Sequence, residues 1–238
     1  MADTCIHNRN SEYRMKQLSL FFCLILFGTG TSVKYSKEKP WPAELNTAND
    51  ANYLSELEKN VILELNKVRT NPQRYVEEYM DELQTSFDGK IFSYPGQDPV
   101  KTQEGISPLK ECIRELRKMS PLPILSPAEG LAKASGDLVS DQRKNGGIGH
   151  ISRNGSTPQK RIEKYGEWDI CSAEDITYGS FEARQIVIFL LIDDGVPDRA
   201  HRKNILNPCF RFAGVSYGKH PNYQSMCVID YAGQYNTK

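Results

Sequence analysis

Apolar positions recur at helical spacing through the first half of the chain. Leu54, Leu57, Val61, Leu63, Leu65 and Val68 form a broad apolar face, which predicts a helix from Ala51 until Asn71-Pro72 stops it. Pro72 suits the first turn of a second helix, with Tyr75, Val76, Tyr79 and Met80 on its buried side. Residues 86–103 are rich in Gly, Pro and Ser and read as a loop. A third helix from Pro108 to Met119 carries Leu109, Cys112, Ile113 and Leu116 at helical spacing. Ser126-Pro127-Ala128-Glu129 reads as an N-cap serine, a first-turn proline and a glutamate that closes a capping box. That helix should run to Lys144 and end at Gly146-Gly147. Thr157-Pro158 starts another short helix, ending before Gly166.

The period then changes. Ile170 to Ile176 alternates as a strand does, and Ser180 can cap a segment ending in the apolar run Ile186–Ile192. That run fits a buried strand or a buried helix equally. Phe210–Tyr217 and Met226–Tyr231 read as two strands joined by a Pro-containing turn. Helices followed by a strand, a further segment and a terminal hairpin predict an α+β domain whose sheet is covered by helices.

The amino terminus follows a different pattern. Arg9, Arg14 and Lys16 precede the apolar stretch Leu18–Phe27, and Gly28 and Gly30 follow at the spacing a signal peptidase accepts. The stretch is shorter than the ~20 residues a membrane-spanning helix needs. The expectation is a signal peptide over 1–30, a polar leader over 31–50 carrying Pro40 and Pro42, and one domain over 51–238. The mature protein would start near Thr31 and be secreted. No second apolar span predicts an anchor after cleavage.

Charge excludes one class of partner. The chain of 238 residues carries 30 basic and 30 acidic side chains, so no surplus of Lys and Arg argues for nucleic acid. Cleavage would remove Cys5 and Cys23 and leave Cys112, Cys171, Cys209 and Cys227. None forms a Cys-x-x-Cys pair, which argues against a thiolate zinc site or a redox motif. Folding the terminal strands about their turn places Cys227 opposite residues near Val215, too far from Cys209 for a disulfide. Cys112 and Cys171 are then the candidate partners of Cys209 and Cys227, in either order.

Candidate chemistry is sparse. There is no P-loop, no dinucleotide-binding glycine run and no His-Glu-x-x-His. Gly214-Val-Ser216-Tyr-Gly218 matches a nucleophile elbow by letter, but a turn follows where that motif needs a helix. A serine hydrolase using Ser216 is therefore the weakest reading, and a glycine-spaced hairpin strand is the simpler one. Among the histidines, His7 leaves with the signal and His220 falls in a turn, where a solvated side chain is expected. His150 follows the glycine-rich stretch Gly146–Gly149, and His201 follows a loop rich in Asp. Glu174 lies between them at the head of a strand. Imidazoles and carboxylates from separate loops suit a divalent cation or proton exchange. On spacing alone, hydrogen-bonded histidines that fix loops are the simpler reading.

Four motifs together resemble a family. Asn66-Lys-Val-Arg-Thr-Asn-Pro72, Gly149-His150, Ala173-Glu174-Asp-Ile176 and His201-Arg-Lys-Asn-Ile-Leu206 are similar, in this order, to the CAP superfamily. This is the SCP domain of cysteine-rich secretory, antigen 5 and pathogenesis-related 1 proteins. The similarity runs from Leu54 to Ala232. It implies an α-β-α sandwich with a central, mainly antiparallel sheet and a cleft lined by two histidines and two acidic residues. His150, Glu174 and His201 match three of those positions. Leu190-Leu-Ile-Asp193 stands where the family has Trp-x-x-Glu, with Asp194 competing for the fourth position, and Ala173-Glu-Asp replaces the commoner Gly-Glu-Asn. The family's extended tail signatures are missing, so the resemblance is to a divergent single-domain member.

The resemblance further implies a secreted, monomeric, non-enzymatic protein that binds a lipid or sterol, a protein or a surface. A divalent cation such as zinc would sit weakly at His150 and His201. The alternative is a metal-dependent hydrolase using His150, His201 and Glu174, with Glu174 as its catalytic residue. Asn154-Gly-Ser156 is a glycosylation sequon in a polar loop.

Overall fold

In the computed structural model, which describes residues 39–238, the first long helix begins at Ser55 rather than Ala51. The Ser55 hydroxyl accepts from the Glu58 amide while the Glu58 carboxylate accepts from the Ser55 amide, so the capping box fixes the start of α1 (Glu56–Thr70). The expected signal peptide and residues 31–38 of the expected leader lie outside the described residues. From Pro40 onward the leader is part of the packed unit: Leu45 and Ala48 are buried.

Asn71 caps α2 (Pro72–Tyr79), and α3 (Ser107–Leu116) follows as the pattern predicted. Residues 86–103 are not a plain loop. Phe87–Asp88 (β1), Ile91–Phe92 (β2) and Val100–Lys101 (β3) form a small antiparallel sheet in which Phe87 stacks on Phe92 at 4.3 Å. Short strands between turn residues leave no alternating signal to read. Ser126-Pro127 likewise caps nothing. It forms strand β4, parallel to Phe212–Ala213, and α4 (Glu129–Asn145) starts only after it. A proline on an edge strand loses no ladder bond, which is why the helix signature misled.

Gly146, at φ 65°, ends α4, and the Thr157 hydroxyl caps α5 (Pro158–Tyr165). Strand β5 (Gly166–Tyr178) is longer than its alternating part. The ambiguous apolar run is helical, as α6 (Ala183–Ile192), with no cap from Ser180. Helix α7 (Ala200–Ile205) and strands β6 (Phe212–His220) and β7 (Gln224–Thr237) complete the order.

The main sheet runs β4-β6-β7-β5, antiparallel apart from β4, with β5 at one edge. Helices α4 and α5 cover one face, where Leu138, Val139, Ile176, Met226 and Val228 pack together. Helices α1 and α6 lie on the other face, over Val215, Cys227, Ile229 and Tyr231. This is the expected α-β-α sandwich. No helix among the described residues is long and apolar enough to cross a membrane.

Cysteine pairing is settled in part. Cys171 joins Cys209 across 6.6 Å between Cα atoms, while Cys112 and Cys227 are free and buried. Cys227 stands opposite Tyr217, which keeps it away from Cys209 as expected. The expectation that all four cysteines pair is corrected: Cys112 on α3 and Cys227 on β7 are apolar core residues.

Candidate functional site

Strand β5 places two acidic residues on opposite faces of the sheet, because successive side chains alternate. Glu174 points toward α5 and Asp175 toward α7. Each ends in a different network.

On the α5 side, Glu174 Oε1 meets His150 Nδ1 at 2.8 Å, and Glu174 Oε2 accepts from Arg161 of α5. Arg161 is buried and also donates to the His150 carbonyl, the Ser152 hydroxyl and the Ser156 carbonyl, so it ties down the loop that carries His150. Behind Glu174, directly across the ladder, lies the fully buried Asp230. Its Oδ2 accepts from the Ser135 hydroxyl, and its Oδ1 has no partner. Burial, reinforced by Glu174, pushes Asp230 well above the usual carboxylate range. The His150 ring itself is 46% exposed.

On the α7 side, Asp193 ends α6 in the left-handed conformation at φ 56°. Its Oδ1 meets His201 Nδ1 at 2.6 Å, and its Oδ2 accepts from the His201 amide. Burial works against a charged His201, but the Asp193 hydrogen bond and the Asp175, Asp193 and Asp198 carboxylates outweigh it and raise its pKa. Asn204 of α7 donates to Asp175. Burial pushes Asp175 up to about 7, against the pull of His201 and Asn204. The Tyr231 hydroxyl lies near enough to act on Asp175 electrostatically, yet neither it nor Asp175 Oδ2 reaches hydrogen-bond geometry.

Of the two candidates for the fourth position, Asp193 is the one that bonds His201. Asp194 instead accepts from the Gln103 and Glu104 amides and holds the segment after β3. Each histidine has its own acid, one in each helical layer, and each pair leaves Nε2 without a hydrogen bond among the described residues. Those residues hold no group of three or more His, Cys, Asp or Glu close enough to grip a metal ion. The donor set fits two separately oriented imidazoles and does not fit a resident metal held by three protein ligands.

A cavity of about 320 Å³ opens beside the second pair. Phe87, Phe92, Phe189, Leu190, Ile192 and Ile176 make its walls, while Asp193, His201, Thr102 and Lys101 supply polar groups. The small sheet β1–β3 forms one wall, and Asp194 anchors it. His150 and Glu174 do not line this cavity.

The other candidates resolve into packing. Ser216 sits mid-strand in β6 against α4, and both glycines of its motif are spaces for that helix. A Cβ at Gly214 would fall on the Leu131 and Ala132 backbone, and one at Gly218 on Val139. His220 is buried, not solvated; its Nε2 meets the Gly147 carbonyl at 2.8 Å. Asn66 and Arg69 are staples. Asn66 bonds Leu45 and Leu125, and Arg69 donates to the carbonyls of Pro123, Ile205, Asn207 and Phe210. Arg161 and Asp230 gave no signal of their own in the sequence, because their partners are distant in the chain, and Asp175 stood out only as part of the Ala173-Glu174-Asp-Ile176 motif.

A model of the cysteine-rich secretory protein family, CAP, matches residues 111–231, half of the chain. An outer surface protein from Borrelia burgdorferi is 22% identical, with a TM-score of 0.40 over 47% of this chain and 78% of its own. An extracellular protein containing an SCP domain, from Bacillus anthracis strain Ames, is 19% identical, with a TM-score of 0.39. That match covers 47% of this chain and 34% of the Bacillus chain, about a third of its length. No curated protein matches the sequence. The family match spans both histidines, Glu174, Asp193 and the Cys171–Cys209 disulfide. The chain belongs to the cysteine-rich secretory protein (CAP) family.

Proposed function

We propose that this protein is a secreted, non-enzymatic binder of an amphiphile, a lipid-like molecule whose apolar body enters the cavity beside His201. The observation that carries this reading is the composition of that cavity. Aromatic and aliphatic side chains make most of its walls, and the polar groups gather around Asp193 and His201. Its volume lies near the small end of the ~300–1,000 Å³ range of small-molecule sites. That suits an acyl chain or one end of a larger molecule. Lys101 and the raised pKa of His201 favour an anionic head group. Export is supported by the amino-terminal pattern and by the Cys171–Cys209 bond, which needs an oxidising compartment.

Chemistry is left with little to work on. Among the described residues Ser216 makes no hydrogen bond to a histidine, and neither His–carboxylate pair hydrogen-bonds to a Ser, Thr or Cys side chain. The test is titration with a fluorescent fatty acid. Wild type should bind about one equivalent, and Thr177 of β5 also lines the cavity, so Thr177→Trp should fill it and abolish binding without unfolding the protein. Equal binding by Thr177→Trp, or turnover of an ester substrate that depends on zinc, would overturn the reading.

A further inference from the structure

We propose that Asn154 is an N-glycosylation site and that the innermost sugar of its glycan lies along the polar groove between α4 and α5. The sequon Asn154-Gly155-Ser156 is short enough to occur by chance, so the case rests on its surroundings. The segment is a tight exposed turn, closed by the Gly155 amide on the Ser152 carbonyl at 2.8 Å and the Ser152 amide on the Ser156 carbonyl at 3.0 Å. Asn154 Oδ1 accepts from the Ser156 amide at 3.0 Å, which fixes the side-chain amide in an Asx turn. Its Nδ2 makes no hydrogen bond among the described residues. Gly155 adopts φ 79° with nothing within 4 Å of where its Cβ would be, and Asn154 itself is exposed.

A second, independent feature is the groove beside the turn. It holds about 470 Å³ and is lined by Ser140, Asp141, Lys144, Ser152, Asn154 and Arg161 among others. Hydroxyl, carboxylate and ammonium groups suit a sugar, and an apolar occupant has no wall to meet. The buried Arg161 also borders this groove. The Cys171–Cys209 disulfide places the chain in the kind of compartment where such transfer occurs.

In the transfer, Asn154 Nδ2 bonds to the anomeric carbon of a lipid-diphosphate-linked oligosaccharide. The bond from that carbon to the diphosphate breaks, the diphosphate departs on its lipid, and Nδ2 gives up one proton. The groove and the apolar cavity share no lining residue, so the glycan leaves amphiphile binding untouched.

The experiment expresses the full chain in a eukaryotic secretory host and compares intact mass before and after amidase removal of N-glycans. Wild type should lose one glycan's mass, Ser156→Thr should do the same, and Ser156→Ala should show no shift. Wild type without a shift, or Ser156→Ala with one, would overturn the assignment. Hydrogen exchange then tests the docking. Amides of 140–144 and 152–156 should exchange more slowly in the glycosylated form, and equal rates would overturn the seating in the groove.

Discussion

His150 and His201 are each held through Nδ1 by a carboxyl group, but the two acids sit in different surroundings. Glu174 shares its site with Arg161 and the buried Asp230, whereas Asp193 faces the cavity and pairs with His201. The sign of the pH effect follows on the second side. His201 is raised in the folded state, so its contribution to stability is present in full below the unfolded value near 6.5. It is lost as pH rises through the folded pKa. Asp175, also raised, holds a proton in the folded state that the unfolded chain releases earlier, so its cost to stability builds up as pH rises from its unfolded value to about 7 and persists above it. Both effects make stability fall as pH rises toward neutral. Asp193→Asn should lower the His201 titration midpoint, read by NMR of the ring, and destabilise by about 1–2 kcal/mol at pH 5.5 and less at pH 9. An unchanged midpoint would show that Asp193 does not set it.

At the scale of elements, α4 packs on β6 through missing side chains. Gly214 and Gly218 leave room for Leu131, Ala132 and Val139, with Ser216 facing Gly136 between them. Gly214→Ala should destabilise by about 3 kcal/mol or more in a denaturant titration, since the obstructing atoms are helix backbone that cannot rotate away. A neutral result would mean that the helix rides higher on the sheet. The same spacing imitated a nucleophile elbow, because a sequence prints the glycines and not the helix they admit. Ser126-Pro127 misled for a related reason: its strand partner, Phe212–Ala213, is far along the chain. Signals carried by neighbouring residues were legible, as at Asn71-Pro72 and Thr157-Pro158. Signals that need a partner from another element were not, as with the Arg161–Glu174–Asp230 cluster. Motif order alone located His150, Glu174 and His201, and their separation into two layers follows from alternation along β5. The cysteines give an element-scale check. Cys112 and Cys227 should resist alkylation in the native protein and react once it is denatured, because burial pushes the Cys112 thiol up to about 12 and also raises Cys227. Labelling of either residue in the folded protein would contradict their place in the core.

Among the described residues, the three layers leave an apolar opening where α6, β5 and the small sheet meet, with His201 and Asp193 at its edge. The neutral charge balance gives no long-range field to steer a highly charged partner. On the proposed reading, recognition rests on apolar burial in that opening, with a local polar contact choosing the head group. The most direct test is mass spectrometry of the protein recovered from the medium, native and after solvent extraction, with metal analysis of the same sample. The account predicts close to one bound amphiphile per chain, lost in Thr177→Trp, and no stoichiometric zinc. A lipid-free protein carrying one zinc that disappears in both His150→Ala and His201→Ala would contradict it.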